Sequence, residues 1–118
     1  MKESLIQKKS FEFSLKVISL FRELKKENEF IISNQLLRSA TSIGANVEEA
    51  SAAQSKRDFI AKMSISSKEA RETKYWLRLL KESQLTQIDV KSLLLDIEEL
   101  IRILTSIVKT SQKNLTQH

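Results

Sequence analysis

The chain predicts an all-α fold, an antiparallel up-down-up-down four-helix bundle, and three observations carry that expectation. Its 118 residues include no proline and one glycine, so little interrupts a helix and tight β-turn chemistry is nearly absent. Apolar residues recur every three and four positions rather than every two: Phe13, Val17, Leu20, Phe21 and Leu24, then Leu36, Leu37, Ala40, Ile43, Val47 and Ala50. Short polar residues that can cap a helix stand just before such runs.

The caps set the elements in order. Ser10 precedes Phe11 and Ser33 precedes Asn34, while Ser55 and Thr86 each have an aspartate three residues on, Asp58 and Asp89, a capping box with a shorter acid. Helices over about 10–28, 33–54, 55–83 and 86–112 follow, with a polar tail at 113–118. The connections are short, which sets neighbouring helices antiparallel. The join near Gln54 and Ser55 has neither glycine nor proline to mark it. The fourth segment continues the stripe through Val90, Leu94, Ile97, Leu100, Ile101, Leu104, Ile107 and Val108, broad enough for a bundle core. With 41% hydrophobic and 30% charged residues and no linker or repeat, one domain over 1–118 is expected.

Composition also removes whole classes of chemistry. There is no cysteine, hence neither a disulfide nor a thiolate. The single histidine, His118, is the last residue, so the Glu-x-x-His pairs that hold two metals inside a bundle are missing. No metal, cofactor or catalytic residue is assigned, and no enzymatic activity is expected. The first residues lack the apolar core of a signal peptide, and no apolar run approaches the roughly 20 residues that span a bilayer; a cytoplasmic protein with no membrane partner is expected.

Charge is placed unevenly. The net charge is +5, and residues 55–82 hold eight Lys/Arg against four Asp/Glu, whereas 83–118 hold four of each. Wound at about 100° per residue, the third helix separates an apolar stripe (Phe59, Met63, Ala70, Leu77, Leu80) from a basic one formed by Lys56, Arg57, Lys68, Arg71, Lys74 and Arg78. A basic stripe is the footprint expected for a phosphate backbone, although a charged helix face is more often simply solvated. Tyr75 lies in the same sector and could stack on a base. An acidic protein is the other partner such a face would suit. Glu69 and Glu72 have basic neighbours, Lys68 standing four residues before Glu72, and Glu49 is expected to meet Arg38 across the turns of a packed bundle. Gly44, inside a helix where glycine costs about 1 kcal/mol relative to alanine, is expected at a close approach to another helix, within the subunit or across an oligomer.

Two runs then resemble a known family. Residues 37–50 (LRSATSIGANVEEA), followed by 58–63 (DFIAKM) and 68–77 (KEARETKYWL), resemble the bacterial four-helix bundle proteins named after the 23S rRNA intervening sequence, over about residues 10–110. The resemblance implies a small helical subunit assembling as a homopentamer, without established enzymatic activity, sometimes encoded within insertions in large-subunit rRNA genes. More distantly, the chain is similar to the accessory protein of diversity-generating retroelements, a basic pentamer that associates with a reverse transcriptase and nucleic acid. Carried onto this sequence, the motifs mark Gly44, Ala45, Trp76 and Leu77 as structural and Arg38, Glu49, Glu69 and Glu72 as a charged network within the bundle or between subunits. Trp76 stands on the shoulder of the apolar stripe, where its indole N–H can reach Glu69 or Glu72. The function expected is a homo-oligomer that holds RNA or DNA by backbone charge; the alternative is an adaptor for a protein such as a polymerase.

Overall fold

The computed structural model describes residues 3–116; His118 lies outside them. Four helices follow one another: α1 (Leu5–Lys26), α2 (Ile31–Ser51), α3 (Lys56–Ser83) and α4 (Lys91–Thr116). Each packs on its chain neighbours and α1 closes against α4, so the helices stand at the corners of a square. Cross-helix bonds give the direction. Ser66 on α3 donates to the Ile43 carbonyl of α2 at 2.8 Å, and Thr73, seven residues on, donates to Ser39, four residues back, at 2.9 Å. Between α1 and α4, Lys9 meets Glu99 and Lys16 meets Asp96, both at 2.9 Å. Rising numbers on one helix pair with falling numbers on the next, so the bundle is antiparallel, up-down-up-down.

The core is the apolar stripe of each helix turned inward. Val17, Leu24, Leu36, Ile43, Val47, Leu77, Leu80, Ile97 and Leu104 are fully buried. The α2–α3 contact is made of smaller residues, Ser39, Ala40, Ser66, Ala70 and Thr73, all at zero exposure. Burying hydroxyls is tolerated only when they are hydrogen-bonded. Ser39 donates to the Leu36 carbonyl and the single Thr73 hydroxyl proton is shared between Ser39 and the Glu69 carbonyl, and no buried side-chain polar atom among the described residues lacks a partner.

Helix starts differ from expectation at three of four places, for local reasons. α1 begins a turn and a half earlier because Ser4 and Gln7 cap one another's amides as a capping box. Ser10 is instead buried inside the helix, its hydroxyl donating to the Gln7 carbonyl. α2 begins at Ile31, since the Glu29 carboxylate accepts from Ile31, Ile32 and Ser33 amides at 2.7 to 3.1 Å and takes the place of a serine cap. Ser55 caps α3 as expected, accepting from the Asp58 amide at 3.0 Å. α4 starts only at Lys91, because the Thr86 hydroxyl is engaged with Glu27 at 2.7 Å and Asp89 receives the Lys91 amide. At the other end α4 continues through 113–116 rather than ending in a tail; Lys113 in its last turn complements the helix dipole.

With no glycine to end them, α1 and α3 are followed by Asn28 (φ 64°) and Gln84 (φ 59°) in the left-handed conformation. Gly44 faces Ser10 of α1 within the subunit, with room for a methyl group. A Cβ built there would sit 3.5 Å from the Ser10 hydroxyl and 3.6 Å from its carbonyl oxygen, ordinary van der Waals contact. Gly44→Ala should therefore raise stability by up to about 1 kcal/mol through helix propensity and reduced freedom of the unfolded chain. Gly44→Leu should lower it by forcing extra carbons against the Ser10 backbone. Urea unfolding of the two variants separates them.

The α1–α4 seam shifts an ionisation. Lys16 is held above its ordinary value, first by its hydrogen bond to Asp96, then by the Asp96 charge, with burial opposing and Glu12 assisting. A raised lysine stabilises the fold while it is protonated, and that contribution disappears as pH rises through the folded value.

Candidate nucleic-acid interface

The six basic residues of α3 fall into two groups. Lys74 is tied to Glu98 of α4 at 3.5 Å and Arg78 to Glu82 of its own helix at 3.2 Å. Lys56, Arg57, Lys68 and Arg71 are exposed, and none of the four lies within ion-pair distance of a carboxylate among the described residues. Arg71 reaches across to the Thr105 hydroxyl of α4 at 3.2 Å. That contact turns the α3 stripe towards α4.

On α4 the structure adds cations that sequence reasoning missed. Arg102 and Lys109 line adjoining hollows with Arg71, Ser64, Ser67 and Thr105, and neither hollow is lined by an acid. Further along the same groove Lys81 and Lys91 join Lys74 and Arg78 around Leu94 and Leu95, in a cleft of about 480 Å³ whose two acids, Glu82 and Glu98, are already paired. Lys91, Arg102 and Lys109 are spaced by 11 and 7 residues, which places them on one face of a helix; that spacing was the available signal. The result is a groove along α3 and α4 rich in Lys, Arg and hydroxyls. Such a groove can neutralise several phosphates, with Ser and Thr donating to phosphate oxygens.

The charged network forms inside the subunit, with partners that differ from expectation. Arg38 of α2 holds both Glu69, at 3.3 Å, and Glu72 of α3, and Glu72 also accepts the Trp76 indole N–H at 2.9 Å. Glu49 pairs instead with Lys62 of α3 at 3.2 Å, because it stands three turns from Arg38 along the same helix and the antiparallel α3 brings Lys62 beside it. Lys68 does not pair with Glu72, whose carboxylate is taken by Arg38 and Trp76. Trp76 in turn meets Tyr75 edge-on, ring centroids 5.2 Å apart.

A separate apolar feature lies on α1. Phe11, Leu15 and Ile18 are 60%, 53% and 40% exposed, and their spacing of four and three makes them a ridge on one face. Beside Phe11 runs a groove between α1 and α2, with Thr41, Gly44 and Ala45 along it. No helix among the described residues is long and apolar enough to cross a membrane.

Fold and surface together define a small four-helix bundle with a basic groove along one pair of helices. The chain belongs to the family described as 23S rRNA-intervening sequence protein, whose profile matches residues 2–106. A solved structure described as a protein of unknown function from the S23 ribosomal protein family of Bacteroides thetaiotaomicron is 43% identical, with a TM-score of 0.82 over 89% of this chain and 99% of that one. No curated protein matches.

Proposed function

We propose that this protein is a non-enzymatic homo-oligomer that associates with nucleic acid through the α3–α4 groove. The observation that carries the proposal is the set of cations, Arg71, Arg102 and Lys109 in the groove and Lys68 one turn before Arg71 on α3, that face solvent without an acid partner. Cations retained only for solubility or fold would be expected to interleave with carboxylates, as Lys9, Lys16 and Lys62 do. Recognition is by backbone charge, since the groove presents flexible point charges and hydroxyls rather than a helix shaped to enter a duplex groove. The family is described by the 23S rRNA intervening sequence, and an RNA is for that reason one of the ligands tested.

The test is binding of purified protein, freed of nucleic acid, to a labelled RNA hairpin and a DNA duplex across a salt series. Binding whose logarithm falls linearly with the logarithm of salt, by about 0.9 per neutralised phosphate on duplex DNA, is the expected result. Absence of binding at low salt to both of these and to a single strand overturns it. One observation favours an adaptor as the second reading: Leu95 is 69% exposed inside the basic cleft, a combination that suits an acidic amphipathic helix of a partner protein. That reading requires the complex to survive nuclease treatment.

Self-association is assigned to the α1 ridge, the exposed apolar strip that the bundle leaves uncovered. Exposed apolar patches of this kind mark contact surfaces.

A further inference from the structure

We propose that the nucleic acid held by the α3–α4 groove is single-stranded, with Tyr75 as the platform on which one of its bases stacks. The inference rests on the nucleic-acid reading above and adds strandedness and a residue role to it. Tyr75 is 56% exposed, and its hydroxyl makes no hydrogen bond among the described residues. It stands on the same helix face as Lys68, Arg71 and Arg78, which lie seven and four residues before it and three after. An aromatic ring is thus set into a row of cations.

The ring is also held. Trp76 contacts it edge-on with planes 73° apart; Trp76 is fixed by Glu72, and Glu72 by Arg38. A pre-positioned aromatic loses less freedom when a ligand arrives. Against a duplex this arrangement gains nothing, because paired bases hide their faces and the tyrosine would meet phosphates. Against a single strand, every base offers a π face, while the neighbouring cations follow the backbone; charged groove plus stacking platform is how single strands are held without sequence preference.

The experiment uses fluorescence anisotropy on the whole 118-residue chain with a labelled oligo(dT), the same strand made abasic, and a duplex of equal length, each across one salt series. Wild type is compared with Tyr75→Ala and Tyr75→Phe, with circular dichroism as the fold control. The oligo(dT) should bind more tightly than the duplex, Tyr75→Ala should weaken it by about 5- to 150-fold, and Tyr75→Phe should keep it. The abasic strand should bind wild type about as weakly as Tyr75→Ala binds oligo(dT), and the slope against salt should not change in Tyr75→Ala because no phosphate contact is lost. If Tyr75→Ala binds oligo(dT) as wild type does, or loses duplex equally, the stacking role is overturned while nucleic-acid binding stands. If wild type binds neither strand nor duplex at low salt, both proposals fall.

Discussion

Replacing Phe11 and Leu15 together by glutamate is expected to convert the proposed homo-oligomer into monomers of 13.6 kDa. Both side chains are more than half exposed on α1, and glutamate is a good helix former, so the bundle itself should keep its helicity and its unfolding midpoint in urea. Across a contact between copies, each aromatic or leucine side chain removed from water contributes about 1.5–3 kcal/mol. Losing two, and placing two carboxylates where they must be desolvated, should weaken each contact by at least about 3 kcal/mol, more than 100-fold. Light scattering coupled to size exclusion at micromolar protein separates the cases. An oligomer that persists in the double variant would move the contact away from α1, and a wild-type monomer would remove self-association altogether.

The helices were legible in the sequence because burial imposes a period, and the period survives in the order of residues. Phe13, Val17, Leu36, Ile43, Leu77 and Leu104 are all core. Starts were less legible because a cap is a competition among nearby polar groups that only geometry decides. Ser33 looks like a cap and is a buried core residue, and Glu29, which does the capping through its carboxylate, looks like an ordinary loop acid. Serines at the α2–α3 contact were invisible as core for the same reason: Ser39 and Ser66 bury because carbonyls stand ready to accept from them.

The site was half legible. The stripe on α3 shows on a helical wheel, whereas the matching cations of α4 are hidden by equal numbers of acids in that segment. Folding separates them. Asp96 and Glu99 turn to Lys16 and Lys9 of α1, and Glu98 is taken by Lys74. Arg102 and Lys109 are left without acids, Lys109 in one hollow with Arg71, and no count along the chain contains that sorting. Arg38 illustrates the converse, since its partners Glu69 and Glu72 are more than thirty residues away.

Because the unpaired cations are divided between two helices, charge reversal should be tested across both. Arg71→Glu, Arg102→Glu and Lys109→Glu in one chain should lower affinity for a single strand or hairpin by about 100-fold or more near 0.1 M salt, since three charge-assisted contacts are removed and three repulsive groups added. The salt slope should fall by about two to three. Lys74 and Arg78 are left in place because their ion pairs already contribute to the helix surface, which keeps the variant's fold out of the comparison. The control is Lys8→Glu, Arg22→Glu and Lys25→Glu on the exposed side of α1, an equal change in net charge at a distance from the groove; because these positions flank Phe11, Leu15 and Ile18 on one helix face, light scattering first checks that the control assembles as wild type does. If affinity follows net charge alone, both triples weaken binding alike and the groove has no special role. A loss confined to the α3–α4 triple locates the phosphates there, because a contact acts within a Debye length of roughly 8–10 Å at these salt concentrations and the two triples stand on different faces of the bundle.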